Sequence, residues 1–284
     1  MNKIKKSDVQ GLIRMALKED IGDGDITSTA LFDKKHKSSA RIISRDTGVF
    51  CGCDMIRYVF EAIDKSIRIT LPVRDGENIV PGARVAELYG PTISLLSGER
   101  TVLNFIQRMS GIATKTKIFA EILKGTGIKI LDTRKTLPGF RMLDKYAVFI
   151  GGGTNHRFGL WDMVLIKDNH IRAAGGITNA VNIARKKYGK KFNIEVEAST
   201  PAEAGEAASS GADIIMLDNM PLHDIEEAIK IIQRRAKIEV SGNMNEEKIK
   251  QLIHCDIDFI SAGALTHSVK AFDLSMKFDS QEDD

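Results

Sequence analysis

Cysteine is scarce in this chain of 284 residues: there are three, Cys51, Cys53 and Cys255. The Cys-x-Cys pair has neither redox spacing nor a second half that would complete a zinc site, so all three are read as reduced and structural. Long apolar runs are also missing. None approaches the roughly 18 residues needed to span a bilayer, so no membrane partner is expected. The opening segment, Met1 to Lys6, lacks the apolar stretch of a signal peptide, and a cytoplasmic location is expected. Charge of one sign is nearly balanced, with 41 Lys and Arg against 38 Asp and Glu. That balance removes the general argument for a nucleic-acid partner.

What charge excess exists is local. From Asp132 to Arg172 there are seven Lys or Arg and four Asp, an excess of three that equals the formal net charge of the whole chain, +3. Arg134, Lys135, His156, Arg157, Lys167 and His170 fall in this stretch beside short apolar runs. Such crowding suits an acidic ligand. With 43% hydrophobic residues the chain has enough apolar material for one barrel or two domains.

Two textures follow one another. Residues 1–104 begin with a helical pattern from Val9 to Leu17 that ends in the Asp- and Gly-rich loop Lys18 to Asp25. Short strand-like runs come next, at Ala40–Ser44, Gly48–Gly52, Ile67–Leu71 and Arg84–Leu88, interrupted by a helix from Asp54 to Ile63. A small α/β sandwich domain is expected there, with residues 268–284 packing back on it. A long, largely buried helix is expected from Ile93 to Leu123. Residues 105–267 then alternate strands with helices: Ile128–Leu131, Met163–Ile166, Asn193–Val196, Ile214–Leu217, Ile238–Val240 and Phe259–Ile260, with helices at Pro201–Ser209, Leu222–Gln233 and Asn245–Ile253. Alternation of this kind specifies a parallel sheet with right-handed crossovers. Six strands, where a closed barrel has about eight, point to an open or incomplete α/β barrel.

Ligands of parallel α/β folds bind beyond the carboxyl ends of the strands, and here nearly every strand ends in charged or small polar residues. Arg134 and Arg157 offer planar forks suited to carboxylates, although either alone could be half of a structural ion pair, Arg134 with Asp132 for example. Lys167 follows four apolar residues and should emerge at the mouth, as a point charge, a Schiff-base nucleophile or a solvated stem. Glu197 and Asp218 terminate strands and can hold Mg²⁺, bind sugar hydroxyls or balance the cations. Glu195 is assigned to the opposite face from Glu197 and left out of the site. Ser241-Gly242-Asn243 and Ser261-Ala262-Gly263-Ala264 occupy the late strand ends where backbone N–H groups hold phosphate, though tight turns explain them as well. Gly151–Gly153 reads as a flexible ligand loop or a plain connector.

The ordered motifs Glu99-Arg-Thr-Val-Leu-Asn104, Asp132-Thr-Arg-Lys-Thr136, Gly151-Gly-Gly-Thr-Asn-His-Arg157, Leu165-Ile-Lys-Asp-Asn-His170, Glu195-Val-Glu197, Leu217-Asp-Asn219, Ser241-Gly242 and Gly263-Ala-Leu-Thr-His-Ser268 resemble the quinolinate phosphoribosyltransferases over nearly the whole chain. The resemblance implies transfer of a phosphoribosyl group from phosphoribosyl pyrophosphate to quinolinate with Mg²⁺, giving nicotinate mononucleotide, CO₂ and pyrophosphate in de novo NAD synthesis. It assigns Arg134, His156 and Arg157 to the quinolinate carboxylates, with Lys135 and Lys167 between quinolinate and pyrophosphate. Glu197 and Asp218 would face the ribose hydroxyls and the metal, directly or through water. The backbones of Ser241, Gly242 and Asn243, and of Ala262, Gly263 and Ala264, would hold phosphate, with His267 at the same rim. Arg100 matches a residue lent across a two-fold homodimer, so each site would need both subunits. Ala198 departs from the family's bulkier apolar residue. Three competitors remain: a Schiff-base aldolase built on Lys167, a related transferase that uses nicotinate, and a non-catalytic binder of phosphorylated metabolites.

Overall fold

The computed structural model describes residues 3–279. Residues 1–2 and 280–284, which include the tips of the expected 1–104 domain and of its 268–284 return, lie outside the described residues. In chain order the elements are α1 (Lys6–Ile21), α2 (Ile26–Leu31), β1 (Lys37–Ser44), β2 (Gly48–Val49), α3 (Cys53–Ile63), β3 (Arg68–Thr70), β4 (Asn78–Ile79), β5 (Arg84–Pro91) and α4 (Thr92–Ile122). They continue as β6 (Lys129–Leu131), α5 (Arg141–Ile150), β7 (Val164–Ile166), α6 (Asp168–Ala174), α7 (Ile177–Tyr188), β8 (Ile194–Ala198), α8 (Pro201–Ser209), β9 (Ile214–Asp218), α9 (Leu222–Ile232), β10 (Lys237–Ser241), α10 (Glu246–Leu252), β11 (Phe259–Ser261), α11 (Ala264–His267) and β12 (Leu274–Phe278). Two compact units result. One takes the chain up to Lys117, Leu137–Gly152 and the segment from Val269 onward; the other takes Ile118–Thr136 and Gly153–Ser268.

The first unit is organised by a four-stranded sheet in the order β12-β1-β5-β3. β1 buries alternate residues, Ala40, Ile42 and Ser44, the period-2 pattern of a strand with one face on a core. It pairs antiparallel with β5 on one side and with β12, the last strand of the chain, on the other. Helix α3 turns Met55, Ile56, Val59 and Phe60 inward, all 0% exposed, and burial of each contributes about 1.5–3 kcal/mol before the entropy of ordering is set against it. The Asp-rich loop before α2 ends in a cap: Asp25 accepts the Ser28 N–H at 2.9 Å and the Ser28 hydroxyl at 2.5 Å. Those bonds to Ser28 hold the Asp25 carboxyl below its ordinary pKa.

Helix α4, 31 residues long, buries Val102, Phe105, Ile106, Met109 and Ile112. Arg108 on α4 clamps Asp144 on α5 with two bonds of 2.8 and 2.7 Å. Asp144 is fully buried; burial pushes its pKa up and the guanidinium opposes that shift. A Cβ on Gly151 would lie 2.4 Å from the carbonyl oxygen of Ala113, so the glycine run begins as a close helix contact. This corrects the local charge count. Arg141, Asp144 and Lys145 sit on α5 in the first unit, although they lie between site residues in sequence.

The second unit is a six-stranded parallel sheet in the order β6-β11-β10-β9-β8-β7. Both faces are covered, which is why its strands read as apolar runs. β6 and β7 stand at the two edges, with one further parallel bridge between Leu131 and Thr154 beside β6. An open α/β barrel of six strands is therefore present, as the sequence indicates. α7, between β7 and β8, was not anticipated from the sequence. Register brings the carboxyl ends level: Ser241 pairs with Asp218, Val240 with Ile260 and Ser261 with Leu131. Among the described residues no helix is long and apolar enough to cross a membrane.

Candidate active site

At the carboxyl ends of these strands the second unit opens a cavity of about 650 Å³. Arg134 and Lys135 after β6, His156 and Arg157 before β7, Lys167 after β7, Glu197 on β8, Asp218 on β9, Ser241 at the end of β10 with Gly242 and Asn243 after it, and Gly263, Ala264 and His267 after β11 all line it. Residues distant in sequence thus share one pocket. Two expected residues do not line it. Ala262 is 1% exposed and donates its N–H to the Leu131 carbonyl at 3.0 Å, so that group is already used and cannot hold a phosphate. Arg100 is exposed on α4, in the first unit. Of the cations counted in the 132–172 stretch, Arg141, Lys145 and Arg172 are also absent from the lining.

Arg134 and Arg157 are close enough to repel: burial first, and then the Arg134 charge, lower the Arg157 pKa. The Nε of Arg134 is buried without a hydrogen-bond partner. A pair of like charges with an unused donor is the electrostatic form of an anion site. Lys167 Nζ is ion-paired with Glu197, and the Lys167 N–H donates to His170 Nδ1 at 3.0 Å, which places His170 in a helix cap. Asp218 accepts from Asn219 Nδ2 at 2.7 Å. Gly242 has φ +111°, and a Cβ there would sit 2.4 Å from Asn219 Oδ1; only glycine permits this turn. The Lys135 carbonyl is held by the Thr266 hydroxyl at 2.8 Å.

The floor contains what sequence reasoning missed. Residues two apart on a strand share a face, so Glu195 follows Glu197 into the barrel. It is 0% exposed, and His156 Nε2 lies 3.0 Å away. Glu239 on β10, 1% exposed, lies 3.5 Å from the same nitrogen. Asp132 accepts the His156 N–H at 2.9 Å and the Asn155 amide at 2.6 Å, so it serves the loop and is not a partner for Arg134. Burial opposes charge on His156, while its contacts with Glu195 and Glu239 favour it. Burial and then the Glu239 charge raise the Glu195 pKa. A further bond settles which ring nitrogen of His156 carries the hydrogen. His156 Nδ1 accepts the Arg157 N–H at 2.7 Å, so the ring carries its hydrogen on Nε2, toward Glu195. Thr133, Leu165, Met216, Asn219, Met244 and Ser261 complete the lining; of these, the sequence marked Asn219 and Ser261 as polar strand ends.

The family model for the quinolinate phosphoribosyl transferase C-terminal domain matches residues 112–277, and that for the N-terminal domain matches residues 25–110. The chain belongs to the quinolinate phosphoribosyltransferase family. A probable nicotinate-nucleotide pyrophosphorylase [carboxylating] of Bacillus subtilis is 46% identical over 258 residues, covering 91% of this chain and 89% of that protein. Quinolinate phosphoribosyltransferase [decarboxylating] 1b of Nicotiana tabacum is 41% identical, covering 96% and 83%. Among solved structures, the nicotinate-nucleotide pyrophosphorylase from Francisella tularensis superposes with a TM-score of 0.93 at 43% identity, over 98% of each chain. NadC from Streptococcus pyogenes gives 0.93 at 40% identity, also over 98% of each. Family membership therefore covers both units.

Proposed function

We propose that this chain transfers the phosphoribosyl group of phosphoribosyl pyrophosphate to quinolinate and releases CO₂ and pyrophosphate, leaving nicotinate mononucleotide for NAD synthesis. The observation that carries this reading is the cavity wall on which Arg134, with its unused Nε, faces the same space as Arg157. Two guanidinium forks match the two carboxylates of quinolinate. They orient the pyridine nitrogen toward the anomeric carbon, and positioning of this kind supplies much of the rate in such reactions. Departure of pyrophosphate gives the ribose oxocarbenium character, and Lys135 and Lys167 offset the charge that leaves. Glu197 and Asp218 face the ribose hydroxyls, while the turns at Ser241–Asn243 and Gly263–Ala264 receive phosphate. Once the ring nitrogen is alkylated, the cationic ring accepts the electrons of the breaking C–CO₂ bond, and no protein nucleophile is needed.

Glu197 and Asp218 both offer hard oxygen donors to the cavity, the chemistry Mg²⁺ takes. Held there directly or through water, Mg²⁺ supplies charge stabilisation to the pyrophosphate group.

Arg100 completes the proposal. Its exposure on α4 suits a residue lent to a neighbouring subunit of a homodimer. Mixing Arg100→Ala with Arg157→Ala subunits should restore about a quarter of parental activity, since half of randomly paired dimers are mixed and each has one intact site. Absence of recovery on mixing contradicts sharing. The aldolase reading is weaker, because a Schiff-base lysine needs a desolvated amine and the Lys167 side chain is 42% exposed and ion-paired. The test of function is pyrophosphate release by purified protein: it should require quinolinate, phosphoribosyl pyrophosphate and Mg²⁺ together. A protein that binds these ligands without turnover is a binder, and turnover of nicotinate in place of quinolinate would reassign the substrate.

A further inference from the structure

The barrel floor carries charge that the reaction above does not use. Glu195 and Glu239 are 0% and 1% exposed, and none of their four carboxylate oxygens accepts an aligned hydrogen bond. Bare carboxylates in such surroundings carry a heavy desolvation penalty. A fold keeps them where they do something for the site above. One basic side chain faces both: His156, through Nε2, at 3.0 and 3.5 Å. Its other ring nitrogen is turned to the main chain of the next residue, where Nδ1 accepts the Arg157 N–H at 2.7 Å. The Arg157 guanidinium is tethered in turn, donating to the Met163 carbonyl at 3.2 Å. Although His156 borders the cavity, its side chain is only 8% exposed.

We propose that Glu195 and Glu239 are positioning residues which lock the His156 ring, and that the ring aims Arg157 through its Nδ1 and so serves quinolinate binding. The proposal rests on the reading of this cavity as the quinolinate site. The arrangement is a chain of orientation, from β8 and β10 to the imidazole, from the imidazole to a backbone N–H, and from there to a guanidinium. Buried partners that fix an imidazole by its second nitrogen are the usual device for setting its tautomer. The ligand atoms of His156, Glu195 and Glu239 also lie within 4.8 Å of one another, a spacing a divalent ion could use. Acceptance of the Arg157 N–H at Nδ1 argues against an ion, because it leaves the ring hydrogen on Nε2, the atom such an ion would have to bind.

A double-mutant cycle tests the proposal through calorimetric binding of quinolinate in the absence of phosphoribosyl pyrophosphate. Glu239→Gln keeps the shape and removes the charge. It should weaken quinolinate about tenfold, the size of one lost bond to a charged group, and change phosphoribosyl pyrophosphate affinity less than about twofold. Its melting temperature should change little, since Gln keeps the shape and His156 retains Glu195 as its nearer partner. In an Arg157→Lys background the same substitution should add almost nothing, because the residue it acts through is already altered. A full tenfold penalty in that background, or none in the parent, overturns the proposal. ¹⁵N resonances of histidine in the ligand-free parent provide a second measurement that needs no variant: His156 Nδ1 should be unprotonated at neutral pH, and a hydrogen on Nδ1 overturns the proposal. A parent that binds quinolinate but forms no nicotinate mononucleotide would fail the functional reading alone. Both tests of the floor would still read.

Discussion

Arg157→Ala and Arg134→Ala should each weaken quinolinate more than about a hundredfold while the protein stays folded. The size follows from the chemistry. A bidentate guanidinium–carboxylate pair is two charge-assisted hydrogen bonds of about 1.5–3 kcal/mol each, and about 2.7 kcal/mol is already a hundredfold in affinity. Stability should change little for Arg134, whose Nε has no partner to lose. Removing Arg157 relieves its repulsion with Arg134 and gives up its bond to the Met163 carbonyl, so the two effects on stability oppose each other. Calorimetric titration beside a thermal melt checks both halves. Unchanged quinolinate affinity in either variant means the carboxylates are held elsewhere.

Lys167→Ala should divide into the opposite pattern. Quinolinate binding should fall far less than turnover, because Lys167 is held in an ion pair with Glu197. Turnover should fall about 10²–10³-fold, the usual effect of deleting one group that stabilises charge developing in the transition state. Single-turnover rates separate this from a binding defect. An equal loss in binding and turnover would place Lys167 on the quinolinate wall. Loss of an adduct trapped by borohydride in the parent would make it a Schiff-base nucleophile.

Six barrel strands were legible because parallel strands, covered on both faces, print as apolar runs, and their charged ends print as abrupt interruptions: Asp132, Lys167, Glu197, Asp218. Three things were not, each for a physical reason. The charge count over 132–172 treated sequence proximity as spatial proximity, yet residues 137–152 leave the barrel to form α5, where Asp144 is neutralised by Arg108 on α4. Glu195 was assigned to the wrong face, although its spacing of two from Glu197 puts both on one side; the pattern Glu-Val-Glu contained the information. Glu239 went unread because a carboxylate between Ile238 and Val240 looks like an outward alternation, and nothing local reveals that His156 waits opposite. Backbone use is invisible in the same way: Ala262 sits among small residues at a strand end, but its N–H completes a bond to Leu131. The cation wall was therefore readable from side-chain chemistry at strand ends, while the acidic floor beneath it required the pairing register.

The central claim is that the wall bearing Arg134 and Arg157 holds both carboxylates of quinolinate. Diffraction from crystals grown with quinolinate tests this most directly. The account predicts the two carboxylates within hydrogen-bond distance of the Arg134 and Arg157 guanidinium groups, with the ring nitrogen turned toward Lys135, Lys167, Glu197 and Asp218. Quinolinate found at any other surface, or bound here with neither guanidinium in contact, would contradict it.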